Sequence, residues 1–185
     1  LSQDIQGQTF DYPEQFFKER VHTIRRPRPD EFQIKEAAEK IKLSKNPIII
    51  SGGGVFYSDA MEELSQFAIK HNIPVTQTVM GYSTMKRDHS HFAGQIGGLG
   101  GKNTNTLAKE TDLAIAVGTK LADFTTGSWA NFENENFKLV SINVSRFDAN
   151  KHLAQAVIGD AKVSLTELSQ ALGLSLIHIS EPTRH

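Results

Sequence analysis

A run of three glycines, Gly52 to Gly54, stands between the isoleucine-rich residues 47–51 and a segment with helical spacing. Backbone N–H groups at the start of a helix attract anions, so α/β proteins often bind phosphate-bearing ligands at such turns. The dinucleotide fingerprint Gly-x-Gly-x-x-Gly fails, because Tyr57 occupies its third glycine position. We predict that Gly53 and Gly54 contact a ligand in a cleft. The alternative is a tight turn that lets a strand and a helix approach closely.

A second glycine-rich segment covers residues 94–101. The P-loop pattern fails there, because Ile96 occupies its first glycine position and Asn103 its final serine or threonine position. The backbone could lie against a phosphate, a substrate or a neighbouring domain. Gly98 and Gly100 are the candidate contacts of this loop.

A polar segment follows the clearest strand of the sequence, residues 112–118. Thr119 and Asp123 come soon after it. Ligands of open parallel sheets bind beyond the carboxyl ends of the strands. Thr119 and Asp123 are therefore candidate cleft contacts, and the alternative is ordinary capping of helices and loops.

The residue types exclude several kinds of catalytic site. The chain has no cysteine, and therefore no thiolate nucleophile, disulfide or cysteine metal ligand. His89 and His91 are two positions apart, and no third ligand lies near them in the sequence, so a solvated loop is predicted instead of a metal site. A Gly-x-Ser-x-Gly elbow is also absent. We predict no catalytic and no metal-binding residue in this chain.

The composition is typical of one globular domain. Of the 185 residues, 38% are hydrophobic and 22% are charged. The formal net charge of −1 gives no electrostatic reason to expect nucleic acid or an anionic membrane as a partner. No apolar run approaches the roughly 20 residues of a membrane span. We expect a cytoplasmic protein.

Apolar residues at helical spacing predict four helices. Asp30 and Asp160 are placed to cap two of them, Asp59 and Glu62 form a capping-box pattern, and Asn72 is typical of a left-handed helix end. Short apolar runs without polar alternation predict strands buried on both faces. The predicted helices are residues 31–43, 59–71, 103–110 and 160–172, and the predicted strands are residues 47–51, 73–79, 112–118, 138–144 and 156–158.

The alternation of strands and helices predicts an α/β fold with a Rossmann-like, doubly wound parallel sheet in three α/β/α layers. The chain divides into an interdomain strap (residues 1–29), a central domain (residues 30–173) and a tail (residues 174–185). Residues 174–184 resemble one reading frame of a common sequencing adapter, and the chain does not begin with Met. We expect read-through of a gene cut at both ends, so His178 and His185 are left out of any site.

Residues 46–55 resemble the opening of the central domain of thiamine-diphosphate-dependent enzymes of the acetolactate-synthase-like group. Residues 72–75, 112–121 and 158–161 are similar to successive landmarks of that domain, and the resemblance covers about residues 30–173. It implies that thiamine diphosphate and Mg²⁺ are held by the flanking domains of the full-length enzyme. Gly159-Asp160-Ala161 is the nearest match to the family's Gly-Asp-Gly cofactor motif, and it departs from that motif at Ala161.

Residues 11–22, 25–29 and 122–128 are similar to the inositol-catabolic branch of this family. That similarity implies a full-length enzyme that opens a small cyclic 1,2-dione by C–C cleavage, because the cofactor adds to a carbonyl and water releases a deoxyuronic acid. It further implies a homo-oligomer and no FAD. This chain alone is expected to be inactive. The alternatives are the central domain of a related carboligase or decarboxylase, and a free-standing nucleotide-binding module.

Overall fold

A computed structural model describes residues 2–173 and shows a six-stranded sheet in which every pairing is parallel. The strand order is β3-β2-β1-β4-β5-β6, which confirms the predicted α/β fold. Ile49 of β1 lies opposite Val75 of β2 and Ile115 of β4. The strands are β1 (Pro47–Ser51), β2 (Val75–Gln77), β3 (Phe92–Gln95), β4 (Leu113–Val117), β5 (Lys138–Asn143) and β6 (Gln155–Ile158).

Eight α-helices and three short 3₁₀ helices connect or flank these strands within the described residues. The α-helices are α1 (Gln3–Gln6), α2 (Glu31–Leu43), α3 (Gly53–Tyr57), α4 (Met61–His71), α5 (Lys102–Glu110), α6 (Asp123–Thr126), α7 (Arg146–Ala149) and α8 (Ala161–Leu172). The 3₁₀ helices are Glu14–Phe17, Val79–Gly81 and Lys151–Leu153. The predicted adapter-derived tail lies outside the described residues.

Alternate side chains of each central strand face two different hydrophobic layers. On one face, Ile49 and Ile115 pack with the inner residues of α2, α4 and α8, among them Phe67 and Leu165. On the other face, Ile48, Ile50 and the alanines of β4 meet α5 and an aromatic loop. That second layer holds one helix and the rings of Trp129, Phe132 and Phe137. The apolar strands are therefore covered on both sides, as their continuous hydrophobicity requires.

The helix ends follow the predicted caps in three of four cases. The Asp30 carboxylate accepts hydrogen bonds from Phe32 N and Gln33 N at the start of α2, and Asp160 does the same at the start of α8. Asn72 ends α4 in the left-handed conformation, with φ 50°. These caps depend on groups close in the sequence, which is why the pattern alone identifies them.

The capping box at α4 is wrong. The helix begins at Met61, and its N-cap position is Ala60, which has no capping side chain. Asp59 adopts φ 52°, and its carboxylate pairs with Lys162 Nζ at 3.3 Å. Asp59 therefore stands one position before the N-cap, and its carboxylate does not cap α4.

Strand β3 and helix α3 were not predicted. The sequence analysis assigns no strand to residues 80–101, but Phe92–Gln95 adds to the edge of the sheet beside β2. Gly94 has φ 106°, and the register shifts next to it between Val75 and Thr76. A glycine within a short, half-buried edge strand hides the period-two signal that identifies strands.

Candidate functional site

The two loops that follow β1 and β4 interlock at the centre of the carboxyl edge of the sheet. Gly52 N donates to Val117 O and Gly54 N donates to Gly118 O, each at 2.9 Å. A Cβ atom on Gly54 would lie 2.5 Å from Gly118 Cα, and Gly118 has φ 61°. Only glycine permits this approach of two backbones. Close backbone contact, the alternative to ligand binding in the sequence analysis, therefore explains Gly52 and Gly54.

This contact lies where the strand order changes direction. From the centre of the sheet, β1, β2 and β3 follow one another toward one side edge, and β4, β5 and β6 follow one another toward the other. Ligands of open α/β sheets bind at such a switch point, because the loops on its two sides separate and leave a crevice. The crevice beside Gly53 is the candidate site.

A cleft of about 380 Å³ opens over this switch point. Three of the six predicted contacts, Gly53, Gly54 and Thr119, line it together. The other walls include Met80 and Phe124, so the mouth of the cleft is largely apolar. That ligands contact these residues stays a prediction.

The other three predicted contacts lie around this cleft, outside its wall. Asp123 opens α6, and its carboxylate accepts a hydrogen bond from Ser128 Oγ at 2.8 Å. Gly98 N donates to Phe124 O at 2.8 Å, so the glycine-rich loop packs beneath α6. A Cβ atom on Gly100 would lie 2.6 Å from Gln95 O, which makes this glycine a requirement of the loop itself.

Asn143 and Asp148 are among the polar residues of the cleft that the sequence analysis does not single out. Asn143, at the end of β5, donates from Nδ2 to Thr119 O at 3.2 Å. Asp148 lies in α7, and its carboxylate pairs with Lys151 Nζ at 2.5 Å. The hydrogen bond from Lys151 lowers the pKa of the Asp148 carboxyl, which therefore stays ionised at neutral pH. The position of Asn143 at a strand end was the signal that could have identified it.

A second cavity, of about 480 Å³, lies between the strap and the same edge of the sheet. Ile24 and Pro27 of the strap form one wall, and Tyr57 and Val144 lie opposite. Gly54, Gly118 and Asn143 border both cavities. The strap therefore roofs part of the carboxyl edge next to the cleft.

Asp160 fixes the strap to this edge. Its carboxylate is buried, and it accepts hydrogen bonds from Lys162 N and Val163 N and pairs with Arg26 Nη1 at 3.1 Å. Arg26 also donates to Ser58 O, and Asp160 N donates to Pro27 O at 2.9 Å. All of these partners are protein groups, so this carboxylate is fully engaged in holding helix and strap together.

The two histidines of the Asp88–His91 segment contact separate partners. His89 Nε2 lies 3.0 Å from Ser65 Oγ, and His91 Nε2 lies 3.0 Å from Asn72 Oδ1. Between residues 2 and 173, no three His, Cys, Asp or Glu side chains are grouped so that they could hold a metal ion. None of the helices in the same range has the length and apolar character needed to cross a bilayer.

Comparison with known proteins identifies the domain type. Residues 34–168 match the family model described as "Thiamine pyrophosphate enzyme, central domain". Over 172 residues, the chain is 46% identical to a 3D-(3,5/4)-trihydroxycyclohexane-1,2-dione hydrolase of Clostridium perfringens and equally to 3D-(3,5/4)-trihydroxycyclohexane-1,2-dione hydrolase 1 of Bacillus cereus. These alignments take in 93% of this chain and 27% of each relative, so the chain spans about a quarter of their length.

The same architecture occurs in solved structures. The benzoylformate decarboxylase of Polynucleobacter necessarius superposes with a TM-score of 0.64 over 90% of this chain and 30% of the decarboxylase chain, at 23% identity. At that level of identity the likeness concerns the fold alone. It agrees with the parallel sheet and the flanking helices described above.

Proposed function

Because the chain belongs to the thiamine pyrophosphate enzyme family and matches its central domain, we propose that it is the central domain of a trihydroxycyclohexane-1,2-dione hydrolase. The full-length enzyme opens the ring of the cyclic dione and yields 5-deoxy-glucuronate in inositol catabolism. The observation that carries this proposal is the 46% identity to two curated hydrolases over 93% of the chain. An alignment of that extent takes in part of the strap as well as the domain.

Thiamine diphosphate and Mg²⁺ are assigned to other domains of that enzyme. The residues described here do not fit this cofactor. Asp160, in the nearest match to the cofactor motif, already pairs with Arg26 and accepts hydrogen bonds from the backbone of α8. No step of the ring opening is therefore assigned to this chain. Its part is to place the carboxyl edge, with its cleft, against the domains that do the chemistry. The absence of FAD, the homo-oligomeric state and the cytoplasmic location stay predictions.

Two chimeras, made by placing the same segment in two different host enzymes, test the proposal. Residues 30–173 replace the aligned segment in the Clostridium perfringens hydrolase and, separately, the central domain of an acetolactate synthase. We expect the first chimera to fold, bind thiamine diphosphate and hydrolyse the dione within about tenfold of the parent's kcat/KM, about 1.4 kcal/mol. The second is expected to be poorly assembled and inactive with pyruvate. The reverse pattern would assign the chain to a carboligase.

Titration calorimetry on the 185-residue chain tests the remaining alternative, a nucleotide-binding module, and the assignment of the cofactor to other domains. We expect no heat of binding with thiamine diphosphate and Mg²⁺, and none with FAD or ADP. Tight binding of the nucleotides at the cleft beside Gly53 would favour a nucleotide-binding module. Tight binding of thiamine diphosphate would contradict the assignment of the cofactor to other domains.

A further inference from the structure

The carboxyl edge exposes a large apolar side chain in each of five consecutive strand-end loops. Tyr57 follows β1, Met80 follows β2, Leu99 follows β3, Phe124 follows β4 and Phe147 follows β5. Their exposed fractions are 67%, 73%, 67%, 73% and 76%, in that order. Parallel strands all end at the same edge of a sheet, so these residues share one side of the molecule. We call these five residues the apolar rim.

Single exposed apolar residues are normal on a protein surface, but a contiguous group of them indicates an interaction site. Tyr57, Met80 and Phe124 border one cleft, so they are neighbours around a common opening. Aromatic residues and methionine are also the types enriched at protein interfaces. At the amino edge, exposed large apolar side chains such as Leu43 and Leu153 precede β1 and β6, two strands that are separated by β4 and β5.

The path of the chain shows what lies next to the apolar rim. The strap reaches the domain at the carboxyl edge, where Pro27 O accepts from Asp160 N and Pro29 touches Gly159. Helix α8 runs back to the opposite edge, where Lys42 Nζ donates to Ala171 O at 3.1 Å. A polypeptide preceding residue 30 is therefore tethered beside the apolar rim, and one following Leu172 is tethered at the far edge.

The strap carries aromatic side chains that are exposed as well. Phe10, Phe16 and Phe17 are all exposed, and the rings of Tyr12 and Phe16 lie 4.6 Å apart, centre to centre. These rings contact one another instead of the domain core. Like the apolar rim, these rings are left uncovered by the described residues.

We propose that the apolar rim is the docking surface for the domain that precedes the strap in the full-length protein. This inference rests on the proposed function, since the curated relatives are nearly four times as long as the aligned segment. We expect the partner surface to be apolar, to match the rim. The strap tethers the preceding domain beside the rim, so its effective concentration there is high and even a weak interface would form.

The experiment uses a second hydrolase chimera, which carries residues 1–173 so that the strap and the domain both come from this chain. The rim variant is Met80→Ser with Phe124→Ser, and the control is Leu43→Ser with Leu153→Ser, two apolar residues at the amino edge that are at least as exposed as the rim pair. We expect the rim variant alone to increase hydrogen exchange of the loops around residues 80 and 124, and tryptic cleavage of the strap, by at least tenfold. Circular dichroism of both variants in the 185-residue chain checks that the domain still folds.

Each outcome separates this inference from the proposed function. An active chimera whose strap and loops are as protected in the rim variant as in the control overturns the docking surface and leaves the function standing. An unmodified chimera that folds but hydrolyses no dione overturns the function. If the 185-residue chain dimerises in sedimentation experiments and the rim variant abolishes the dimer, the occupant is a second copy, and the inference is wrong.

Discussion

The two edges of the sheet are finished in different ways. At the amino edge, the Asp112 carboxylate accepts hydrogen bonds from Ser44 Oγ, Lys45 N and Asn46 N, and Thr111 Oγ donates to Asn46 O. Polar groups there are satisfied by their neighbours. At the carboxyl edge, glycine backbones interlock at the centre, and the large side chains around them remain exposed.

This difference separates stability from interaction. An edge whose polar groups are already paired offers little to a ligand or a neighbouring domain. An edge with a cleft and exposed apolar side chains indicates an interaction site. The amino edge also borders a cavity, of about 540 Å³, but most of its lining is polar or charged, as at Lys40, Asp112 and Lys138. The paired groups of the amino edge stabilise the fold, and the carboxyl edge is the surface that we propose for docking.

The largest expected effect is at the glycine contact of the carboxyl edge. Gly118→Val places a β-branched residue at φ 61°, with its Cβ 2.6 Å from Gly54 Cα. Backbone strain and the clash together should lower the free energy of unfolding by about 4 kcal/mol or more. Urea unfolding of the 185-residue chain measures this.

The matched control is Gly98→Ala, whose new Cβ would lie 3.6 Å from the Phe124 ring without a positive φ. A change within about 1 kcal/mol is expected there. Equal losses in the two variants would show that the interlocked contact is not special.

The second-largest effect is a loss of stability at acid pH, caused by protonation of His71 at the end of α4. His71 is buried against Phe67, and this burial, followed by the charge of Lys70, lowers its pKa from 6.5 to about 4. A depressed pKa stabilises the fold above the unfolded value, and that stability is lost as the pH falls from about 6.5 to about 4. The loss should be on the order of 3 kcal/mol.

Urea unfolding between pH 7 and pH 4 checks this, with His71→Leu as the variant. The free energy of unfolding of the variant should depend much less on pH in this window, because leucine has no titratable group. An unchanged slope would mean that other groups cause the acid sensitivity.

The smallest of the three effects is the loss of stability on replacing Asp112, which holds the loops of the amino edge together. Burial acts to raise the pKa of this carboxyl, but the hydrogen bonds from Ser44, Lys45 and Asn46 outweigh it, and the pKa is lowered. Asp112→Ala removes their acceptor and should cost about 2 kcal/mol. The native carboxylate stabilises the fold above the unfolded pKa of about 4, and this contribution is lost as the pH falls below that value.

Glu133→Ala is the control, since Glu133 pairs with Lys109 at 2.6 Å on the exposed surface. Exposed ion pairs contribute about 0–1 kcal/mol. Thermal unfolding at pH 7 compares the two variants. If both lose the same stability, the amino edge is not held by Asp112.

Much of the fold could be predicted from local patterns. Residues 48–50 are consecutive isoleucines, and such a run is stable only in a strand that is buried on both faces. The caps at Asp30 and Asp160 involve N–H groups two and three positions away, so the local sequence identifies them. The candidate site could be predicted in part: Gly53, Gly54 and Thr119 were placed at strand ends, and they line one cleft.

The remaining features depend on residues far apart in the sequence. Asp59 lies one position before the N-cap of α4, and its carboxylate pairs with Lys162, 103 positions away. β3 is a strand because β2 offers it an open edge, even though Gly94 disturbs its pattern. Tertiary contacts determine these two features, because they override weak local preferences.

The sequence by itself determined the order of buried strands and capped helices, because burial and capping act over a few residues. Only the tertiary structure decided which side chains meet. Tyr57 and Phe124 are 67 positions apart in the sequence, and each reads as an ordinary loop residue. They line the same cleft because all strands run parallel and the order reverses between β1 and β4. The geometry of the sheet, and no local pattern, gathers them at one edge.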